Sequence, residues 1–276
     1  MEKPWLGNLW FQARVFQLIE DTKRGVYNLN GEKVGEVELP RVFSLPVRED
    51  LIRRAFLSAF TARLQPKGRD PMAGKRTTAE SLGPGRGLAR IPRIKGTARG
   101  AFVNSTRGGH LAFPPRPDKK IHEEINKKER LLAIMSALAA TAKKEFVERR
   151  GHAIENVKEF PLIVVDDLEN VSSAKQLREV FEKLGVWEDV ERASQWRQRS
   201  TKGKMRGRRY KKRVGPLIIV SSEEAKVRNA AGAFPGTDVV AVNLLSVKHL
   251  APGGVPGRLT IITQKALEEI GRRFTP

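Results

Sequence analysis

The sequence contains no cysteine. That excludes disulfides, zinc–thiolate sites, iron–sulfur clusters and a thiol nucleophile. Acidic residues are few beside basic ones: 31 Asp and Glu against 52 Lys and Arg in 276 residues, a formal net charge of +21. Aromatic residues make up only 7%, with two tyrosines. The longest largely apolar run, residues 131–140, is far short of the roughly 18 residues that suggest a bilayer span. The opening Met1-Glu2-Lys3-Pro4-Trp5 lacks the apolar stretch of a secretion signal. His110, His122, His152 and His249 lie far apart with no ligand spacing, so neither a metal nor another cofactor is expected. The expectation is a soluble, cytoplasmic, strongly basic protein without a membrane partner. Its obvious partner is a polyanion, and nucleic acid is the commonest one.

The positive charge is concentrated in two stretches. Residues 62–117 hold Arg63, Lys67, Arg69, Lys75, Arg76, Arg86, Arg90, Arg93, Lys95, Arg99, Arg107 and Arg116, opposed only by Asp70 and Glu80. Residues 192–215 hold Arg192, Arg197, Arg199, Lys202, Lys204, Arg206, Arg208, Arg209, Lys211, Lys212 and Arg213, with no acid at all. The first stretch is interrupted throughout by Gly and Pro, and neither helical nor strand periodicity survives in it. It therefore reads as one long loop. Ordering about 50 residues costs roughly 1–2 kcal/mol each in backbone entropy. So few apolar groups cannot offset that by burial. The loop is thus expected to be mobile in the free protein and ordered by its partner. Doubled back on itself it could reach about 80 Å at roughly 3.3 Å per residue, far enough to thread into a large RNA assembly. Phe102 and Phe113 in this loop, and Trp196 and Tyr210 in the second stretch, could stack on unpaired bases or equally anchor each segment to the fold.

The remainder predicts an α/β fold: a parallel sheet with helices on both faces. Residues 1–25 are set aside as an N-terminal arm of unknown role, in which Trp5, Trp10 and Phe11 could dock. Residues 26–61 begin the globular domain, with a hairpin around Asn30-Gly31 and a helix after Pro46. Residues 118–276 complete it. Asp118 is expected to cap a long helix with the stripe Ile121, Ile125, Leu132, Met135, Ala139, Ala142 and Phe146, ended by Gly151. Strands follow at 161–165, 216–220, 239–242 and 259–262, each an apolar run of the kind that is buried on both faces. Capping boxes Ser173/Gln176 and Ser221/Glu224 predict two intervening helices. Residues 265–272 predict a terminal one.

Motifs for chemistry mostly fail. Gly68 and Gly74-Lys75-Arg76 miss the phosphate-loop spacing, its Ser or Thr and its preceding strand. Gly83-Pro84-Gly85-Arg86-Gly87 has no strand before it, and Pro92 blocks a helix after it. No Ser-centred elbow occurs. Asp166-Asp167 ends a predicted strand, where doubly wound folds bind ligands. This pair supports the alternative of an RNA-processing or RNA-modifying enzyme, against the plainer reading of a polar turn.

Longer strings point to a family. Ala89-Arg90-Ile91-Pro92-Arg93-Ile94-Lys95-Gly96-Thr97-Ala98-Arg99-Gly100 and Arg107-Gly108-Gly109-His110-Leu111-Ala112-Phe113-Pro114-Pro115-Arg116-Pro117 resemble the large-subunit ribosomal protein "L four" family, in its archaeal and eukaryotic branch. Ala79-Glu80-Ser81-Leu82-Gly83, Lys202-Gly203-Lys204-Met205-Arg206-Gly207-Arg208-Arg209 and Leu250-Ala251-Pro252-Gly253-Gly254 are similar to it as well. The resemblance implies a structural constituent of the large ribosomal subunit, not an enzyme. The implied partners are large-subunit rRNA, other large-subunit proteins near the exit tunnel and the nascent polypeptide. It implies a tunnel-lining tip at Arg93, Ile94, Lys95, Gly96, Thr97, Ala98 and Arg99. RNA-binding residues are then expected at Arg76, Arg86, Arg90, Arg93, Lys95, Arg99, Arg107 and Arg116, and at Lys202, Lys204, Arg206, Arg208 and Arg209. The bacterial pattern has an extra Arg at the tip that this chain lacks. Binding of the protein's own messenger would use the same surfaces.

Overall fold

A computed structural model describes residues 23–274. The expected N-terminal arm, apart from its last three residues, lies outside the described residues. In chain order the strands are β1 (Lys23–Tyr27), β2 (Lys33–Glu38), β3 (Ala79–Glu80), β4 (Arg93–Ile94), β5 (Leu162–Val164), β6 (Arg197–Gln198), β7 (Tyr210–Lys211), β8 (Leu217–Val220), β9 (Asp238–Ala241) and β10 (Thr260–Thr263). The helices are α1 (Glu49–Thr61), α2 (Lys127–Thr141), α3 (Lys144–Arg150), α4 (Ala174–Lys183), α5 (Trp187–Ser194), α6 (Val227–Ala231), α7 (Val247–Leu250) and α8 (Gln264–Arg273). The chain forms two compact units, residues 23–59 with 124–274, and residues 60–123.

The first unit is built on a six-stranded sheet in the order β2-β1-β5-β10-β8-β9. Only the β1–β2 pair is antiparallel; β1–β5, β5–β10, β10–β8 and β8–β9 are parallel. The hairpin predicted at Asn30-Gly31 is present. Asn28 Oδ1 accepts from the N–H of Asn30 and of Glu32, each at 2.9 Å. Gly31 has φ +81°, and a Cβ there would lie 2.6 Å from the Lys183 carbonyl oxygen, so the turn needs glycine on both counts.

Alternation along the strands divides the apolar side chains between two cores. Val26, Ile163, Leu217, Ile219 and Ile262 face one side, against Ile52 and Ala55 of α1, Leu138 of α2, and Leu267 and Ile270 of α8. Tyr27, Leu162, Val164, Ile218 and Ile261 face the other, against Val147 of α3, Leu177 and Phe181 of α4 and Val190 of α5. A strand covered on both faces must be apolar at every position, which is why these runs are continuous and do not alternate with polar residues.

Local contacts shift several boundaries. The helix expected from Asp118 begins instead after Asn126, whose N–H donates to Glu129 Oε2 at 3.4 Å, the backward half of a capping box. It also divides: α2 ends at Thr141, whose hydroxyl donates to Leu138 O at 2.7 Å, and α3 starts from the extended residue Lys143. Ser173 precedes α4 without a side-chain capping bond. Ser221 does not cap the next helix. Its N–H and hydroxyl both donate to Glu169, each at 2.8 Å, and α6 shrinks to five residues from Val227.

The largest fully buried side chain of this unit is Arg258, at 1% exposure. Its Nε donates to Gly215 O at 2.9 Å and its Nη1 to His249 O at 2.9 Å. Nη2 reaches Gly236 O at 3.1 Å, Pro216 O at 3.3 Å and Asp238 Oδ2 at 2.6 Å. The guanidinium thus ties together the segments that enter β8, β9 and β10. A buried cation is tolerable only with such full pairing.

Candidate nucleic-acid interface

Residues 60–123 have almost no interior. Ala101, at 7% exposure, is the one buried residue among them. Their order comes from turns and close backbone approach. Asp70 accepts from Met72 N–H at 3.0 Å through its side chain and from Ala73 N–H at 3.1 Å through its carbonyl, and it pairs with Arg76 at 2.6 Å. Gly74 and Gly109 lie so close that a Cβ on Gly74 would sit 2.5 Å from the Gly109 carbonyl oxygen. His110 Nδ1 meets the Phe102 carbonyl oxygen.

Strands β3 and β4 pair antiparallel, Ala79 with Ile94 and Glu80 with Arg93. The sequence predicts a loop with no strand here. The ladder has two residues per strand, too short to leave a periodic signal. Beyond it the chain makes a tight reversal over residues 93–100. Ile94 N–H donates to Arg99 O at 3.0 Å, and Thr97 N–H to Ile94 O at 3.0 Å. The Thr97 hydroxyl adds a bond to Ile94 O at 3.1 Å, and Arg93 Nη1 bonds to Ala98 O. Gly96, third in the turn, has φ +79°, a conformation that favours glycine. This turn pushes Lys95, Gly96, Thr97, Ala98 and Arg99 into solvent, while Arg93 and Ile94 are half-buried in the ladder. Arg76, Arg86, Arg90, Arg107 and Arg116 are all exposed.

The second basic stretch folds into a small hairpin of the first unit. β6 pairs with β7, Arg197 opposite Lys211 and Gln198 opposite Tyr210, and Arg199 N–H donates to Arg209 O at 2.9 Å. Arg208 N–H closes the tip by donating to Gly203 O at 3.0 Å. Lys202, Lys204, Arg206, Arg208 and Arg209 are exposed on it. Trp196 and Tyr210 pack edge to face, ring centroids 5.7 Å apart, and are 57% and 48% exposed. They therefore do not anchor the hairpin in a core.

Of the two strand-end carboxylates, one is committed to the fold and the other is exposed. Asp166 Oδ1 accepts from Lys265 N–H at 2.8 Å, at the first turn of α8. Asp167 points to solvent. Glu169, which the sequence did not single out, accepts from Ser221 and from the Thr263 hydroxyl at 2.7 Å, joining the ends of β8 and β10. No group of three or more His, Asp and Glu suited to hold a metal occurs among the described residues. No helix among them is long and apolar enough to cross a membrane.

A buried polar cluster also escaped sequence reasoning. His152 Nδ1 donates to Asp189 Oδ2 at 2.9 Å, while Asp189 Oδ1 accepts from Ala153 N–H at 2.9 Å and Arg192 Nε at 2.8 Å. Burial holds the His152 pKa below the usual imidazole value, although the Asp189 charge pulls the other way. Burial opposes ionisation of Asp189, but His152 and Arg192 outweigh it and hold the carboxyl below its usual range. His152, Asp189 and Arg192 come from two separated segments, so no spacing in the sequence announces them.

Residues 37–273 match the model of the ribosomal protein L4/L1 family. The chain is 54% identical over 253 residues to the large ribosomal subunit protein uL4 of Sulfurisphaera tokodaii, covering 91% of this chain and 95% of that one. It is 51% identical over 257 residues to the uL4 of Sulfolobus acidocaldarius, covering 93% and 96%. It is 50% identical over 251 residues to that of Saccharolobus islandicus, covering 91% and 94%. An arginine-rich unit with one buried residue and a second unit built on a doubly covered, mainly parallel sheet thus accompany similarity along nearly the whole length, and the chain belongs to the ribosomal protein L4/L1 family.

Proposed function

We propose that the chain is a structural protein of the archaeal large ribosomal subunit, cytoplasmic with the ribosome, that binds and organises large-subunit rRNA among other ribosomal proteins. Its role is architectural, not enzymatic. The observation that carries this is the near-absence of an interior in residues 60–123, together with their excess of cations. A segment with so little burial gains its fixed shape from what it contacts. Exposed guanidinium forks and glycine-freed N–H groups suit phosphate oxygens. Arg76, Arg86, Arg90, Arg93, Lys95, Arg99, Arg107 and Arg116 are assigned to RNA contacts from the loop. Lys202, Lys204, Arg206, Arg208 and Arg209 are assigned to RNA contacts from the hairpin. The turn Arg93-Ile94-Lys95-Gly96-Thr97-Ala98-Arg99 is assigned to the wall of the nascent-polypeptide tunnel. Its support is the string that resembles the family's tip and the exposure of Lys95 to Arg99.

The test is binding of the full chain to a large-subunit rRNA transcript over a salt series. Replacing Arg93, Lys95 and Arg99 with alanine should weaken binding about tenfold or more at low salt. It should also lower the slope of log affinity against log salt by about 2, as loss of up to three phosphate contacts requires. The melting temperature of the free protein should not move. A fall of several degrees, or unchanged RNA binding, would overturn the assignment.

A further inference from the structure

Arg150, Arg192, Arg197, Lys211, Lys212 and Arg213 converge on one cleft of about 560 Å³, and no carboxylate lines it. They come from the end of α3, from α5 and from both strands of the basic hairpin and its exit. Two of the cations are held in place by backbone. Arg150 Nη2 donates to Pro252 O at 2.8 Å, and its Nη1 to Val255 O. Arg192 Nη2 donates to Val214 O at 2.7 Å while its Nε holds Asp189. Burial, and then the charges of Arg258 and Arg192, push the Arg150 pKa down to about 10. Cations crowded this way repel one another in the free protein, and an anion placed among them relieves that repulsion. Arg197, Lys211 and Arg213 have no carboxylate partner within ion-pair distance among the described residues.

The cleft adjoins the exposed aromatic pair. Lys212 lines the cleft and also places its Nζ 5.2 Å from the centre of the Trp196 ring. Arg209 lies 5.7 Å from the centre of the Tyr210 ring. A phosphate group and an unstacked base are the two parts of a nucleotide that such neighbours recognise. Stacking surfaces of this kind serve unpaired bases, because a base inside a helix has both faces covered. An acidic peptide would use the cations but not the aromatic rings.

We propose that the cleft and the Trp196–Tyr210 pair form one notch for single-stranded RNA, in which the cations hold a backbone phosphate and an unpaired base stacks on Trp196. This rests on the reading that the chain binds RNA. It adds a site apart from the basic residues assigned above.

The probe is an oligouridylate decamer carrying 4-thiouridine, bound to the full chain, irradiated and mapped by peptide mass. Adducts are expected on peptides that contain Trp196 or Tyr210. Trp196→Ala should weaken decamer binding about 5- to 150-fold, the range of one lost base stack, and Trp196→Phe should restore most of it. Lys211→Gln with Arg213→Gln should lower the salt slope by about 1.4, two phosphates' worth for a single strand. These side chains are exposed, so melting temperatures should match the wild type. Adducts confined to residues 62–117, unchanged binding by both sets of variants, or equal displacement by inorganic phosphate or an oligoglutamate would overturn the notch. Failure of the wild-type chain to bind large-subunit rRNA would instead overturn the function proposed above.

Discussion

The two units of this chain are stabilised in opposite ways. In residues 23–59 and 124–274, strands such as Leu162–Val164 are buried on both faces, and even an arginine, Arg258, is enclosed and fully paired. In residues 60–123, Ala101 alone is buried. Apolar burial is worth about 25 cal/mol per Å², so the first unit has a driving force for folding that the second lacks. The second relies on short-range devices: Asp70 bonded to the turn that follows it, Gly96 at positive φ, and the Arg93–Ala98 contact. Net stability resides in one region, and the exposed cationic unit contributes little to it.

The contrast breaks most visibly at Arg258. Arg258→Met should destabilise the globular unit by about 3–5 kcal/mol, because the strand-entry carbonyls of Gly215, Pro216, Gly236 and His249 lose this donor, whereas the Asp238 carboxylate is largely exposed and loses little. For a domain of this size that is a fall of about 10 °C in Tm by calorimetry. No change would mean that the guanidinium is dispensable and the account of this core is wrong.

A smaller effect comes from the His152–Asp189 pair. His152 has its folded pKa below the ordinary 6.5, so the unfolded chain takes up that proton first. Stability is therefore complete above about pH 6.5 and is lost as pH falls from there towards the depressed value. Asp189, depressed below 3.8, adds a further loss at still lower pH, as its carboxylate is protonated. Melting temperatures should be flat from pH 8 to about 6.5 and fall from there to pH 5, a fall that His152→Asn should flatten. A fall of equal slope in that variant would place the titration elsewhere.

The smallest effect on stability should come from the largest change. Glu123 N–H donates to the Thr61 hydroxyl at 3.1 Å, so the two ends of the arm lie side by side. Replacing residues 66–117 by a short Gly/Ser linker should leave Tm within about 2 °C of the wild type, since a shorter loop costs slightly less to close. Affinity for the rRNA transcript should drop sharply. Failure of the excised protein to fold would show that the arm contributes to the core.

Much of the fold can be read from residues that act locally. The apolar runs at 162–164 and 217–220 declare doubly buried strands, Asn30-Gly31 declares its hairpin, and Gly151 and Gly185 end helices with φ of +83° and +73°. Sequence logic fails where a distant partner competes. Ser221 is drawn to Glu169 and away from the helix it would have capped. Asn126 displaces Asp118 because Glu129 supports it. Of the candidate interface, the two basic stretches are visible as composition and the tip string as a resemblance. The convergence of Arg150 and Arg192 with Lys211 is invisible, because only the folded hairpin and helices bring those segments together.

Hydrogen exchange on the purified, RNA-free chain tests the division of labour most directly. Amides of residues 62–117 should exchange within seconds. Those of β5, β8 and β10 should be protected to nearly the free energy of global unfolding, and adding the rRNA transcript should slow residues 62–117 and the basic hairpin while leaving those strands unchanged. An arm already as slow as β5 without RNA would contradict the claim that this segment takes its shape from its partner.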